Sequence, residues 1–287
     1  MPTWLRPLAK RVAALGGLLP FLAYITIFLL IPAIAVIVGA FKTPDGHATL
    51  HNFHVATTGV YRHGYEKSIK LSLVASIVPA IVGFVIAQAI HKSPQDAFLR
   101  KFVVSLSGVF ANFGGVPLAF LFISTFGPVS LTNSWLSHLG IHWAPNVHSF
   151  DAVVAVYLYF QIPLMVLVIL PAFEGLKPAW REASDNLGGN SFSYWRHVGG
   201  PAILPAFLGA VLLLFGSAFS AYATAQALTS GTIPLTPIQI GSFLNGNVFP
   251  GQENVGKALA AGMLVIIAVV MGIYSVFQRR AARWAST

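Results

Sequence analysis

Apolar residues along the chain gather into six long runs, near 18–41, 70–90, 102–126, 152–173, 202–228 and 256–278. Crossing about 30 Å of hydrocarbon takes about 20 helical residues, so each run is long enough to span a bilayer. None contains an Asp or Glu. The pattern predicts an all-α, polytopic membrane chain of six transmembrane helices, with residues 1–287 forming a single unit. Asn112, Gly114, Gly115 and Pro117 interrupt the third run; backbone freed there must bond to neighbouring helices or line a wet cavity. The first run follows Arg6, Lys10 and Arg11 but is too long for the apolar core of a signal peptide. No persuasive cleavage site comes after it, so it reads as a retained helix.

Composition agrees with the pattern. The chain is 56% hydrophobic and 9% charged, against about 25% charged for a soluble domain, which excludes an ordinary water-soluble enzyme. Cysteine is absent, and with it disulfides, thiolate-bound zinc and thiol catalysis. The net charge of +9 would suggest nucleic acid in a soluble protein, but its distribution decides otherwise. Twelve of the 17 Lys and Arg residues fall in the N-terminal tail, the second connection (Lys92, Arg100, Lys101), the fourth (Lys177, Arg181, Arg196) and the C-terminal tail (Arg279, Arg280, Arg283). The other five, Lys42, Arg62, Lys67, Lys70 and Lys257, belong to the opposite side. Basic residues stay inside, so both termini are expected in the cytoplasm, and the positive charge reads as topology.

The fourth connection, 174–201, stands apart from the others as the one patterned for helices. Pro178 suits the first turn of a helix and Gly188 or Gly189 its end. Ala179, Ala183 and Leu187 recur every four residues as a narrow apolar face, with Glu182 and Asp185 elsewhere on the surface. A second short helix can start after Asn190 or Ser191, carrying Phe192 and Trp195 before Gly199. The result is a helix–turn–helix at the inner membrane surface, or equally an amphipathic loop resting on lipid headgroups.

Glu182-Ala183-Ser184, then Gly188, then Val198 and Pro201, resembles the EAA motif of binding-protein-dependent ABC importer permeases of type I: Glu-Ala-Ala, three residues, Gly, nine residues, Ile-x-Leu-Pro. Ser184, Val198 and Gly200 depart from it. Leu50-His51-Asn52-Phe53 is similar to the family's Leu-x-Asn-Tyr/Phe ahead of the second span. The resemblance implies a permease subunit of a bacterial-type plasma (inner) membrane, whose inner loop is a coupling helix pair seated on a cytoplasmic ATPase. Carried over, Glu182, Ala183, Ser184, Asp185, Gly188 and Pro201 form the coupling element: Glu182 faces a basic group of the ATPase, Gly188 allows the turn, and Pro201 marks the return to the fifth span. The resemblance also implies two ATPase subunits that use ATP and Mg, an external solute-binding protein, and a second permease. Likeness to the polyamine, phosphonate, thiamine and ferric-iron branch favours a related second chain over an identical copy and leans toward a polyamine-type solute. No cofactor, catalytic residue or metal is expected in this chain.

Other patterns fall away on their chemistry. Gly251 to Ala258 nearly spells a P-loop, but Ala258 lacks the magnesium-binding hydroxyl, no strand precedes it, and it lies outside. His47, His51 and His54 are spaced as helical metal ligands, yet Pro44, Asp45 and Gly46 point to a solvated loop; His138, His142 and His148 take the same reading. Ion-coupled carriers place ionisable groups within the bilayer; here all eight carboxylates lie outside the spans or at their edges, so the energy is expected from a partner. Asn112, Gln161, Ser220, Tyr222 and Gln226 are the candidates for the path, each weighed against bonding to its own or a neighbouring helix. A membrane scaffold that only recruits a cytoplasmic partner is the alternative function.

Overall fold

The computed structural model describes residues 18–94, 96–128, 130–140, 146–248 and 250–285. Arg6, Lys10, Arg11 and His142 lie outside the described residues. Every regular element among the described residues is helical. Five helices are long and apolar enough to cross a membrane: α1 (Leu18–Ala40), α3 (Gly59–His91), α7 (Phe150–Glu174), α9 (Ser191–Ser220) and the apolar part of α12 (Val255–Ala285). The third run is two helices, α4 (Phe98–Asn112) and α5 (Gly115–Phe126), bent by 101°; counted as one broken span they make six. Shorter helices are α2 (His51–Ala56), α6 (Leu131–His138), α8 (Pro178–Asn186), α10 (Ala223–Thr229) and α11 (Thr236–Leu244).

α3 is the spine, and its sequence explains why. Gly64, Ser68, Ser72, Ala75, Ala80, Gly83 and Ala87 form a buried stripe of small residues. Where lipid supplies no hydrophobic drive between helices, small residues let backbones approach and gain packing. A Cβ on Gly83 would stand 2.6 Å from Met165 Cβ, so α3 and α7 are in close contact there. α9 packs along the same helix. One apolar cluster joins α3, α7 and α9 near Ile90, Ile169, Phe173 and Ile203. A second, toward the other end, gathers Leu71, Leu118, Tyr157, Leu228 and Leu235. α1 leans on α12 and leaves almost all of its apolar surface open.

Both π-turns have the same cause. Ile31 and Gly200 donate five residues back, to Thr26 and Trp195, and each immediately precedes a proline, Pro32 and Pro201. A proline ring cannot donate and crowds the carbonyl four residues behind, so the ladder widens by one residue. The second turn carries α9 unbroken from the fourth connection into the fifth span, where a separate short helix was expected.

Three further expectations are revised. α3 starts at Gly59, eleven residues before the apolar run, and its 33 residues reach about 50 Å, well past the hydrocarbon. Its polar first turns are tied by Arg62 to Glu66 at 2.8 Å, an i,i+4 pair. The fifth run is not continuous: α9 stops at Ser220, Ala221 is extended, and α10 resumes at Ala223. The fourth connection is also not alone in being helical, since α2, α6 and α11 occupy the first, third and fifth, with His51 and His54 on α2 and His138 closing α6. Tertiary burial of Thr236, Ile238, Gln239 and Gly241 makes α11, which sequence periodicity could not announce.

Candidate functional site

At one end of the bundle, α8 and the first turns of α9 form a hairpin arm. Pro178 opens α8, where a missing N–H costs nothing. Gly188 closes it at φ +77°, a conformation side chains with Cβ resist. Gly188 donates to Asp185 O at 3.0 Å and Gly189 to Ser184 O at 2.9 Å, the paired bonds of a Schellman ending. Asn190 then caps α9 by accepting from Ser193 N–H at 2.8 Å. Arg181 stitches the hairpin: its Nε donates to Asp185 at 3.1 Å, Nη2 donates to Ser191 Oγ at 2.8 Å, and the guanidinium lies 5.1 Å over the Tyr194 ring. Sequence reading counted Arg181 only as a topological charge.

The arm offers its outer face to something else. Leu187 is 89% exposed and Phe192 72%, and Trp180, which shares a groove with Leu187, is partly open. Trp180, Ala183, Ser184, Leu187, His197, Val198 and Pro201 line a groove of about 590 Å³. Asp185 is spent on Arg181, whereas no cation among the described residues pairs with the exposed Glu182. Large exposed apolar side chains grouped on one face mark an interaction surface.

Two helix breaks meet in the middle of the fold. Gly115, at φ +76°, turns the chain between α4 and α5 and donates to the buried Thr224 Oγ1 of α10 at 2.8 Å. Tyr157 of α7 donates to Ala221 O at 2.8 Å, in the gap between α9 and α10. Backbone groups freed at one break are thus met by side chains of other helices, as a low-dielectric setting demands. Asn112 ends α4, exposed, and donates to Gly108 O at 2.9 Å. Ser220 is exposed and bonds Gly216 O at 2.8 Å; Gln226 is half-buried on α10. Tyr222 lies partly open along a cavity of about 390 Å³ shared with Ser220, Ile240, Leu244, Asn245 and Met263. Its ring rests on bare backbone, because a Cβ at Gly241 would stand 2.5 Å from Tyr222 Cε2. Gln161 is elsewhere: fully buried inside the protomer, it donates to Leu214 O at 2.8 Å while its Oε1 has no partner.

Asn52, from the stretch ahead of the second span, has a clear task. Its amide donates to Ala40 O at 2.9 Å and Lys42 O at 2.8 Å, satisfying carbonyls left over where α1 ends. Asn254 donates to the same Lys42 carbonyl, tying the start of α12 to that corner. Among the described residues no group of three His, Asp or Glu is placed to hold a metal.

No protein-family model matches the chain. The spermidine/putrescine transport system permease protein PotB of Haemophilus influenzae is 26% identical over 262 residues, covering 88% of this chain and 89% of that one. A PotC homolog of Mycoplasma pneumoniae is 24% identical over 217 residues, 72% of this chain and 65% of that one. Among solved structures, a bacterial ABC transporter involved in import of the acidic polysaccharide alginate has a chain that matches with a TM-score of 0.77 at 18% identity, covering 97% and 99% of the two chains. The alginate transporter in complex with its alginate pentasaccharide-bound periplasmic protein matches equally, at 0.77 and 17% identity over 96% and 97%. The fold is the one these importer chains have.

Proposed function

We propose that this chain, a type I ABC importer permease by sequence likeness and by fold, supplies half of a solute path and couples it to ATP hydrolysis in separate subunits. The observation that carries the coupling role is the arm: a hairpin stitched by Arg181 that leaves Leu187, Phe192 and Glu182 exposed and has a groove lined by Trp180, Ala183, Leu187 and Pro201. In this reading the arm end faces the cytoplasm, as the Lys and Arg distribution favours, and both termini lie there too. The groove docks on an ATPase subunit that binds ATP and Mg. The permease carries no cofactor and catalyses nothing. A stiff lever joined to path-lining helices is what rigid-body switching needs.

A second permease, a related chain rather than an identical copy, completes the path, with two ATPase subunits and an external solute-binding protein. Asn112, Ser220, Tyr222 and Gln226 stand at or beside the paired breaks, where irregular backbone at membrane depth belongs next to a water-filled cavity. The polyamine relatives favour a small cationic solute of that type. No carboxylate lies in the apolar spans, so selection falls mainly to the external binding protein.

The test is charge reversal at Glu182 in the reconstituted complex. A partly buried ion pair broken this way costs about 2–5 kcal/mol at an interface. Glu182→Lys is expected to abolish solute-stimulated ATP hydrolysis while leaving membrane abundance unchanged, because the residue is exposed and outside every span. Normal stimulation by the variant would remove Glu182 from the coupling role.

A further inference from the structure

The arm hangs from the end of α7, and that root is held by a charge pair the sequence did not announce. Arg100, in the first turn of α4, donates to Glu174, the last residue of α7, and at 3.5 Å to Ser93 O in the α3–α4 connection. The Arg100 side chain is only 11% exposed, and its partner lies 74 residues away. A purely topological arginine would extend its head into water. This one is folded inward and joins the ends of three helices. One residue before Glu174, fully buried Phe173 takes the His91 ring of α3 on one side and the Trp195 ring of α9 on another.

Between Glu174 and Pro178 runs a short non-helical link, Gly175, Leu176 and Lys177, which is where a lever would flex. Trp195 on Phe173 fixes the α9 limb of the hairpin. For the α8 limb, the charged tie nearest the link is Arg100–Glu174. We infer that Arg100 is a positioning residue for the arm: by holding Glu174 it makes the root of α8 move with α3, α4 and α7 as one body. The inference rests on the coupling reading for its consequence, though the geometry it predicts can be measured without it.

The chain has no cysteine, so labels can be placed at will. Phe98→Cys on α4, 81% exposed, and Asn186→Cys at the end of α8, exposed and outside the groove lining, take spin labels without touching the pair. In the assembled complex, Arg100→Met and Glu174→Gln are each expected to broaden the distance distribution between these labels. Each is expected to lower solute-stimulated ATP hydrolysis about tenfold at unchanged membrane abundance. Acting through one contact, the two changes combined should do no more than Arg100→Met alone. An unchanged distribution in both variants, or effects that multiply in the double variant, would overturn the inference. So would a broadened distribution with full stimulation. If Arg100→Met fails to accumulate, Glu174→Gln removes only the charge of the more exposed partner and carries the same two outcomes. Failure of the coupling reading looks different: the unaltered complex would lack solute-stimulated hydrolysis while the distance result stood.

Discussion

In the arm, Arg181 reaches Asp185 four residues away and Ser191 ten residues away; at the paired breaks, Thr224 meets Gly115 across 109 residues and Tyr157 meets Ala221 across 64. The first region is made by neighbours in sequence and the second by helices far apart in the chain. A local turn can be specified by a proline, a glycine and a cap, each at the position its backbone geometry requires. A break in apolar surroundings requires a partner from elsewhere for every N–H and C=O it frees. The two regions should therefore fail in different ways, and substitutions can separate them.

The largest effect is expected at Gly241. Any side chain there collides with the Tyr222 ring, whose place beside the α9–α10 break depends on bare backbone. Overpacking of this kind costs about 1–3 kcal/mol. Gly241→Leu should depress solute uptake severely, and Gly241→Ala less so. Uptake per assembled complex is the measure, and adding Tyr222→Ala to Gly241→Ala should recover part of the loss. Equal loss with and without the ring would mean that Gly241 matters for some reason other than Tyr222, and the contrast with the arm would lose its best support.

Gly188 provides the matching change in the arm, with a smaller and more contained result. A residue with Cβ at φ +77° costs about 1–2 kcal/mol, and valine exceeds alanine in that conformation. Gly188→Val should weaken stimulated ATP hydrolysis while proteolytic resistance of the membrane helices stays normal. A variant whose spans also become labile would show that the arm is not the locally built unit described above.

Legibility in the sequence follows the same division. The number of apolar runs, the start of α8 at Pro178, its end at Gly188 or Gly189 and a cap at Asn190 or Ser191 could be read from residue type and spacing, because the interactions that make them are local. The α4–α5 break was foreshadowed by Asn112, Gly114, Gly115 and Pro117 clustered in one run. Nothing foreshadowed the α9–α10 break, since Ala221, Tyr222 and Ala223 are ordinary helix residues; the interruption is met by the distant Tyr157 hydroxyl and by packing on α5. Arg100 and Arg181 were hidden for another reason. Charge counting assigns a side of the membrane but cannot tell a solvated guanidinium from one folded onto a carboxylate.

Gln161 gives the smallest effect and the sharpest one for the path. Its position in the middle of an apolar helix marks it as a path candidate by cost alone, because a buried amide must bond to something. The structure accounts for half of that amide: Nε2 is bonded to Leu214 O across the α7–α9 contact, while Oε1 is buried without a partner. A hydrogen bond between membrane helices contributes about 0.6 kcal/mol on average. An unsatisfied buried acceptor costs about 1–3 kcal/mol. Leucine removes both, fills a similar volume and leaves Leu214 O its place in the helix ladder, so the relieved acceptor outweighs the lost bond by about 0.4–2.4 kcal/mol. Gln161→Leu should therefore leave uptake at the unaltered level and raise thermal stability by a few degrees at most. Asn112→Leu, on an exposed side chain at the α4–α5 break, should change uptake with stability intact. If Gln161→Leu alters uptake or solute preference while Asn112→Leu does not, the path runs between α7 and α9 rather than past the breaks, and the two regions compared here would have to be drawn again.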